Sequence, residues 1–72
     1  MKRFDFRLRG GKALKMPPMV DFSVTIWSEQ DGRYCVSADL ATEKEIDEWA
    51  TGMKAAIDAA VNEAKSALRH AS

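Results

Sequence analysis

With one cysteine, one histidine and six aromatic residues, this 72-residue chain has little of the chemistry that most functional classes require. Cys35 has no second cysteine to form an internal disulfide, and no Cys/His cluster offers a metal a closed set of ligands. A reducing, cytoplasmic setting is the simplest expectation. No apolar run approaches the roughly 18 to 20 residues of a membrane span, so no membrane partner is expected. Met1-Lys2-Arg3 is charged like the start of a signal peptide, but Phe4, Asp5, Phe6 and Arg7 then alternate where an unbroken apolar stretch is needed. Gly10-Gly11-Lys12 lacks the longer glycine-rich frame and the Ser/Thr of a phosphate-binding loop. No cofactor and no catalytic residue are expected.

What is present is ordinary for a packed domain: 46% hydrophobic and 31% charged residues. The chain is long enough for one domain, residues 1–72. At this size folding buries only about 60% of the unfolded surface, so the core must be thin.

The charges cancel overall but not locally. Within residues 1–15, Lys2, Arg3, Arg7, Arg9, Lys12 and Lys15 face only Asp5, whereas the rest of the chain carries five basic against ten acidic residues. Folding of one part on the other, self-association or an external partner each neutralises such a split.

Hydrophobic periodicity predicts the architecture. Phe4, Phe6 and Leu8 alternate with Arg3, Asp5, Arg7 and Arg9, the period of a half-buried strand that ends at Gly10-Gly11. Pro17-Pro18 mark Lys12 to Met19 as a loop. Residues 20–28 place Val20, Phe22, Val24 and Ile26 on one face and Asp21, Ser23, Thr25 and Trp27 on the other. Residues 33–40 repeat the pattern, with Tyr34, Val36, Ala38 and Leu40 inward. A three-residue loop, Gln30-Asp31-Gly32, keeps the faces matched by pairing Trp27 with Cys35 and Ile26 with Val36.

Thr42 and Glu45 have the spacing of a capping box, with Glu43 and Asp47 favouring the same helix start. Ile46, Trp49, Ala50, Met53, Ile57, Ala60, Val61, Ala64 and Leu68 then recur at three- and four-residue steps. The expectation is an α+β fold of order β-β-β-α, a three-stranded antiparallel sheet packed on a long C-terminal amphipathic helix. As one piece, residues 43–69 reach about 40 Å, against about 27 Å for the strands. Either the helix breaks near Gly52, or its end overhangs the sheet and Ala56, Ala60 and Ala64 admit a second subunit in a homodimer.

Among candidate sites, His70 suits the helix C-terminus, Cys35 has no base beside it in sequence, and the acidic helix start is capping chemistry. The outer sheet face is more informative. If the first strand lies beside the second, a placement the pattern leaves open, it carries Arg3, Arg7, Arg9 and Arg33 around Trp27, and both residue types are enriched at binding hot spots. These five are the candidate partner-binding residues. In a monomer, Trp27 can instead lie beneath the arginine stems. Nucleic acid is the rival partner, since an Arg/Trp sheet backed by a helix also suits DNA, although zero net charge weakens attraction to phosphate.

The segment Thr42-Glu43-Lys44-Glu45-Ile46-Asp47-Glu48-Trp49-Ala50-Thr51-Gly52-Met53 resembles the region after the sheet in a small phage anti-CRISPR protein that inhibits the type I-F surveillance complex. The resemblance covers about a sixth of the chain. It implies a phage-encoded inhibitor that binds a host protein complex through its sheet, with two helical pieces divided near Gly52.

Overall fold

A computed structural model describes residues 3–26 and 32–71. Three antiparallel strands, β1 (Arg3–Gly11), β2 (Met16–Thr25) and β3 (Arg33–Cys35), lie in the order β1-β2-β3 and precede one helix, α1 (Glu43–Ala71). The expected α+β architecture is present.

The alternation in β1 and β2 sets their pairing. Phe4 lies opposite Val24, Phe6 opposite Phe22 and Leu8 opposite Val20, all on one face, while Arg3, Asp5 and Arg7 oppose Thr25, Ser23 and Asp21 on the other. Directly opposed side chains of this kind each contribute about 0.2 to 1 kcal/mol.

Half of the expected first loop, Met16 to Met19, is strand. β1 runs through Gly11, a 3-10 turn spans Lys12–Leu14, and β2 starts at Met16. Pro17 and Pro18 are accommodated because the register shifts between Arg9↔Met19 and Gly11↔Met16, so that two residues of β2 face Gly10 alone. Such a bulge asks for fewer ladder donors, which suits proline. Gly10 has φ 78°, and a Cβ there would sit 2.4 Å from the Pro17 carbonyl oxygen.

The hairpin register also differs from expectation. Cys35 faces Ser23, Tyr34 faces Val24 and Arg33 faces Thr25, and the Val36 amide donates to the Phe22 carbonyl oxygen at 2.9 Å. Trp27 is therefore not the partner of Cys35, and Ile26 is not that of Val36. The displacement is four residues, an even number, so Arg33, Tyr34 and Cys35 keep their expected faces. Gln30-Asp31 of the expected turn lie outside the described residues.

β3 is also shorter than the eight residues expected. After Cys35 the chain leaves the ladder, the Phe22 amide donating instead to Ser37 Oγ at 2.8 Å, and it returns at Leu40, which exchanges two 2.8 Å backbone hydrogen bonds with Val20. Leu40 is the one buried hydrophobic residue among those described.

This anchored point launches the helix. Thr42 Oγ1 accepts a 3.1 Å hydrogen bond from the Glu45 amide, and Glu45 Oε2 reaches back to the Ala41 amide at 3.4 Å. The cap is thus close to the expected box, worth about 0.5 to 2 kcal/mol for its threonine, but its return bond goes one residue earlier. α1 is continuous through Gly52, so the break does not occur and the overhang does.

Contact between the layers is narrow. Trp49 stacks on Phe22, with ring centroids 4.5 Å apart and planes 7° from parallel, and its ring centre lies 6.1 Å from that of Phe4. Ile46, Trp49, Ala50 and Met53 are half-buried, but from Ile57 onward the apolar stripe is exposed. At 29 residues, α1 is about 43 Å long. The molecule measures 57 × 31 × 13 Å with a radius of gyration of 16.2 Å, where a compact chain of this length has about 11 Å.

Candidate binding surface

Because α1 lies on the apolar face, the opposite face of the sheet is open and charged. Its rows follow from the register: Arg3, Thr25 and Arg33 across one, Asp5, Ser23 and Cys35 across the next, then Arg7 beside Asp21 and Arg9 beside Met19. Four of the five expected binding residues, Arg3, Arg7, Arg9 and Arg33, thus share one face. The fifth, Trp27, lies outside the described residues.

Aspartates organise the arginines into two clusters. Arg7 Nη2 donates to Asp21 Oδ2 at 2.9 Å, Arg9 Nη2 lies 3.2 Å from the same oxygen, and Arg9 also bonds Asp39. In the second cluster, Arg3 Nε is 2.9 Å from Asp5 Oδ2 and Arg33 Nη2 is 4.0 Å from it. Asp21 is only 5% exposed, whereas the arginine side chains remain 47 to 60% exposed. Asp21 forms a floor beneath the guanidinium groups of Arg7 and Arg9, whereas Asp39 is as exposed as Arg9 itself.

The Arg7 hydrogen bond, with the charges of Arg7 and Arg9, holds the Asp21 carboxyl below the usual aspartate range against the opposing effect of burial. The same bond raises the Arg7 guanidinium further. Asp21 and Asp39 belong to the acidic part of the chain and Arg7 and Arg9 to the basic part, so part of the uneven charge is neutralised inside the fold. The aspartates were missed as site residues, because Asp21 and Arg7 fall on the polar faces of two strands whose adjacency the sequence left open and the register supplies.

Between the clusters, Arg7, Asp21, Ser23, Arg33 and Cys35 line a shallow cavity of about 170 Å³. Comparison with known protein families, with curated proteins and with solved structures finds no match. The surface must therefore be read from its own chemistry.

Cys35 is exposed, and its thiol donates to the Ser37 carbonyl oxygen at 3.1 Å. His70 belongs to the last turn of α1, with Nδ1 2.7 Å from the Ser66 carbonyl oxygen, where a protonated Nδ1 donates. Among the described residues no group of three His, Cys, Asp or Glu side chains could hold a metal ion, and no helix is long and apolar enough to cross a membrane.

Proposed function

We propose that this chain is a small non-enzymatic protein-binding module that acts by occupying a surface of a larger protein with the charged face of its sheet. The observation that carries the reading is the pair of aspartate-held arginine clusters. A guanidinium already fixed by a carboxylate loses less freedom on contact with a partner, so more of its interaction remains as affinity. Arginine presented in this way forks to carboxylates and stacks on aromatic rings, the contacts that dominate protein interfaces. Trp27 joins the site on sequence grounds as its apolar anchor. The resemblance of residues 42–53 to a phage anti-CRISPR protein supports the same reading, an inhibitor of a host complex.

Duplex DNA is the competing partner for the same arginines. The arrangement counts against it, because Asp5, Asp21 and Asp39 offset the charge of the four arginines and so weaken the long-range attraction to a phosphate backbone on which DNA binding depends. The deciding experiment passes the tagged chain over a host lysate with and without nuclease. It then repeats the capture with Trp27→Ala and Arg33→Ala. A stoichiometric protein retained after nuclease, and bound at least about 30-fold more weakly by Trp27→Ala as expected of a hot spot, sustains the reading. Retention of nucleic acid, or of proteins released by nuclease, replaces it with DNA binding.

A further inference from the structure

The apolar side of the sheet poses a separate problem. Phe6 and Leu8 are each 62% exposed there, and Phe4, Tyr34, Ile57 and Val61 are exposed beside or beyond them. The pattern in the sequence is that of surfaces meant for burial, yet α1, an amphipathic helix of 29 residues, has no buried residue. A cleft of about 320 Å³ opens where helix and sheet diverge, walled by Phe4, Phe22, Trp49, Met53 and Ile57.

Area gives the size of what is missing. A compact monomer of 8.0 kDa presents about 4,500 Å², whereas this chain presents 6036 Å². Two separate copies expose about 12,000 Å², and a compact body of their joint mass about 7,400 Å². The difference, about 4,700 Å², falls within the roughly 2,000 to 5,000 Å² that obligate homodimers bury.

We infer that the occupant of this face is a second copy of the chain, whose overhanging helix covers the exposed Phe6 and Leu8 region of its partner while receiving the same cover in return. A two-fold axis makes this exchange self-complementary. The helix charges favour an antiparallel arrangement: Glu43, Glu45, Asp47 and Glu48 at its start would meet Lys65 and Arg69 at the end of the other copy. Ala60 and Ala64 on the stripe let the two helix backbones approach closely. Both charged sheet faces stay outward, so the dimer offers two binding surfaces, although the inference does not depend on what they bind.

Sedimentation equilibrium of the full chain from about 5 to 200 µM, with thermal unfolding over the same range, tests it. The expected result is twice the 8.0 kDa chain mass and a melting temperature that rises with concentration. Phe6→Asp and Ile57→Glu should each shift the mass toward a single chain, or unfold the protein in a way that raising its concentration reverses. A cooperatively folded single-chain mass throughout overturns the inference. So does a dimer that neither substitution weakens, a chain that folds only when a different protein is added, or unfolding of both variants that concentration cannot reverse.

Discussion

Phe22 of β2 and Trp49 of α1 stack nearly parallel, 4.5 Å between centroids, and this pair is the principal join between sheet and helix. Parallel stacking adds about 0.5 to 1.5 kcal/mol to the burial of the rings. Trp49→Ala should therefore destabilise the chain by about 3 kcal/mol, the lower end for a tryptophan truncation because the ring is only half-buried. Urea unfolding followed by far-ultraviolet circular dichroism measures this. Trp27→Ala should leave the urea midpoint nearly unchanged while weakening partner binding. The reverse assignment of the two tryptophans would exclude Trp27 from the contact surface.

Two glycines should respond to alanine in opposite directions. At Gly10 a Cβ would meet the Pro17 carbonyl oxygen at 2.4 Å on a backbone with φ 78°, combining a clash with a left-handed cost of about 1 to 2 kcal/mol. Gly10→Ala should cost about 2 kcal/mol or more. At Gly52 a Cβ meets nothing within 4 Å, and the residue is helical and exposed. Gly52→Ala should stabilise by about 0.5 to 1 kcal/mol. A loss at Gly52 would mean that the helix does not run straight through it.

These sites show what was legible in the sequence and what was not. Period-two alternation placed Phe4, Phe6, Phe22 and Val24 on one face and the arginines on the other, and the Thr42/Glu45 spacing marked the helix start. The same alternation could not place β3, because moving Cys35 from Trp27 to Ser23 shifts the strand by an even number and leaves every face intact. Pro17-Pro18 read as a loop because the bulge that admits them depends on Gly10, a residue on the other strand. The Arg7–Asp21 pair needed the register of two strands at once, which no local pattern contains.

The register itself can be tested with the single native thiol. Ser23 and Cys35 are direct neighbours, next to the hydrogen-bonded Phe22 and Val36. They form a pair without ladder bonds, where Cα atoms lie about 4.5 Å apart, within disulfide reach. Under mild oxidation Ser23→Cys should lose both free thiols and gain an intramolecular bridge, detected by mass spectrometry as the loss of two hydrogens. Trp27→Cys should not. Efficient bridging of Trp27→Cys instead would establish the shorter hairpin.

Acid should find the weak point of the charged face at Asp21. Its carboxyl is held below the ordinary range by the Arg7 hydrogen bond, so the folded state binds that proton less readily than the unfolded chain, whose aspartates titrate near about 3.9. The stability this supplies is complete above the unfolded value and is lost as pH falls through the lower folded one. Arg7, raised by the same bond, stays charged throughout and does not affect this window. The urea midpoint of the wild-type chain should therefore fall below about pH 4, and Asp21→Asn, less stable at neutral pH, should fall less steeply over the same interval. Parallel acid limbs for the two proteins would mean that the pair orders the arginine without stabilising the fold.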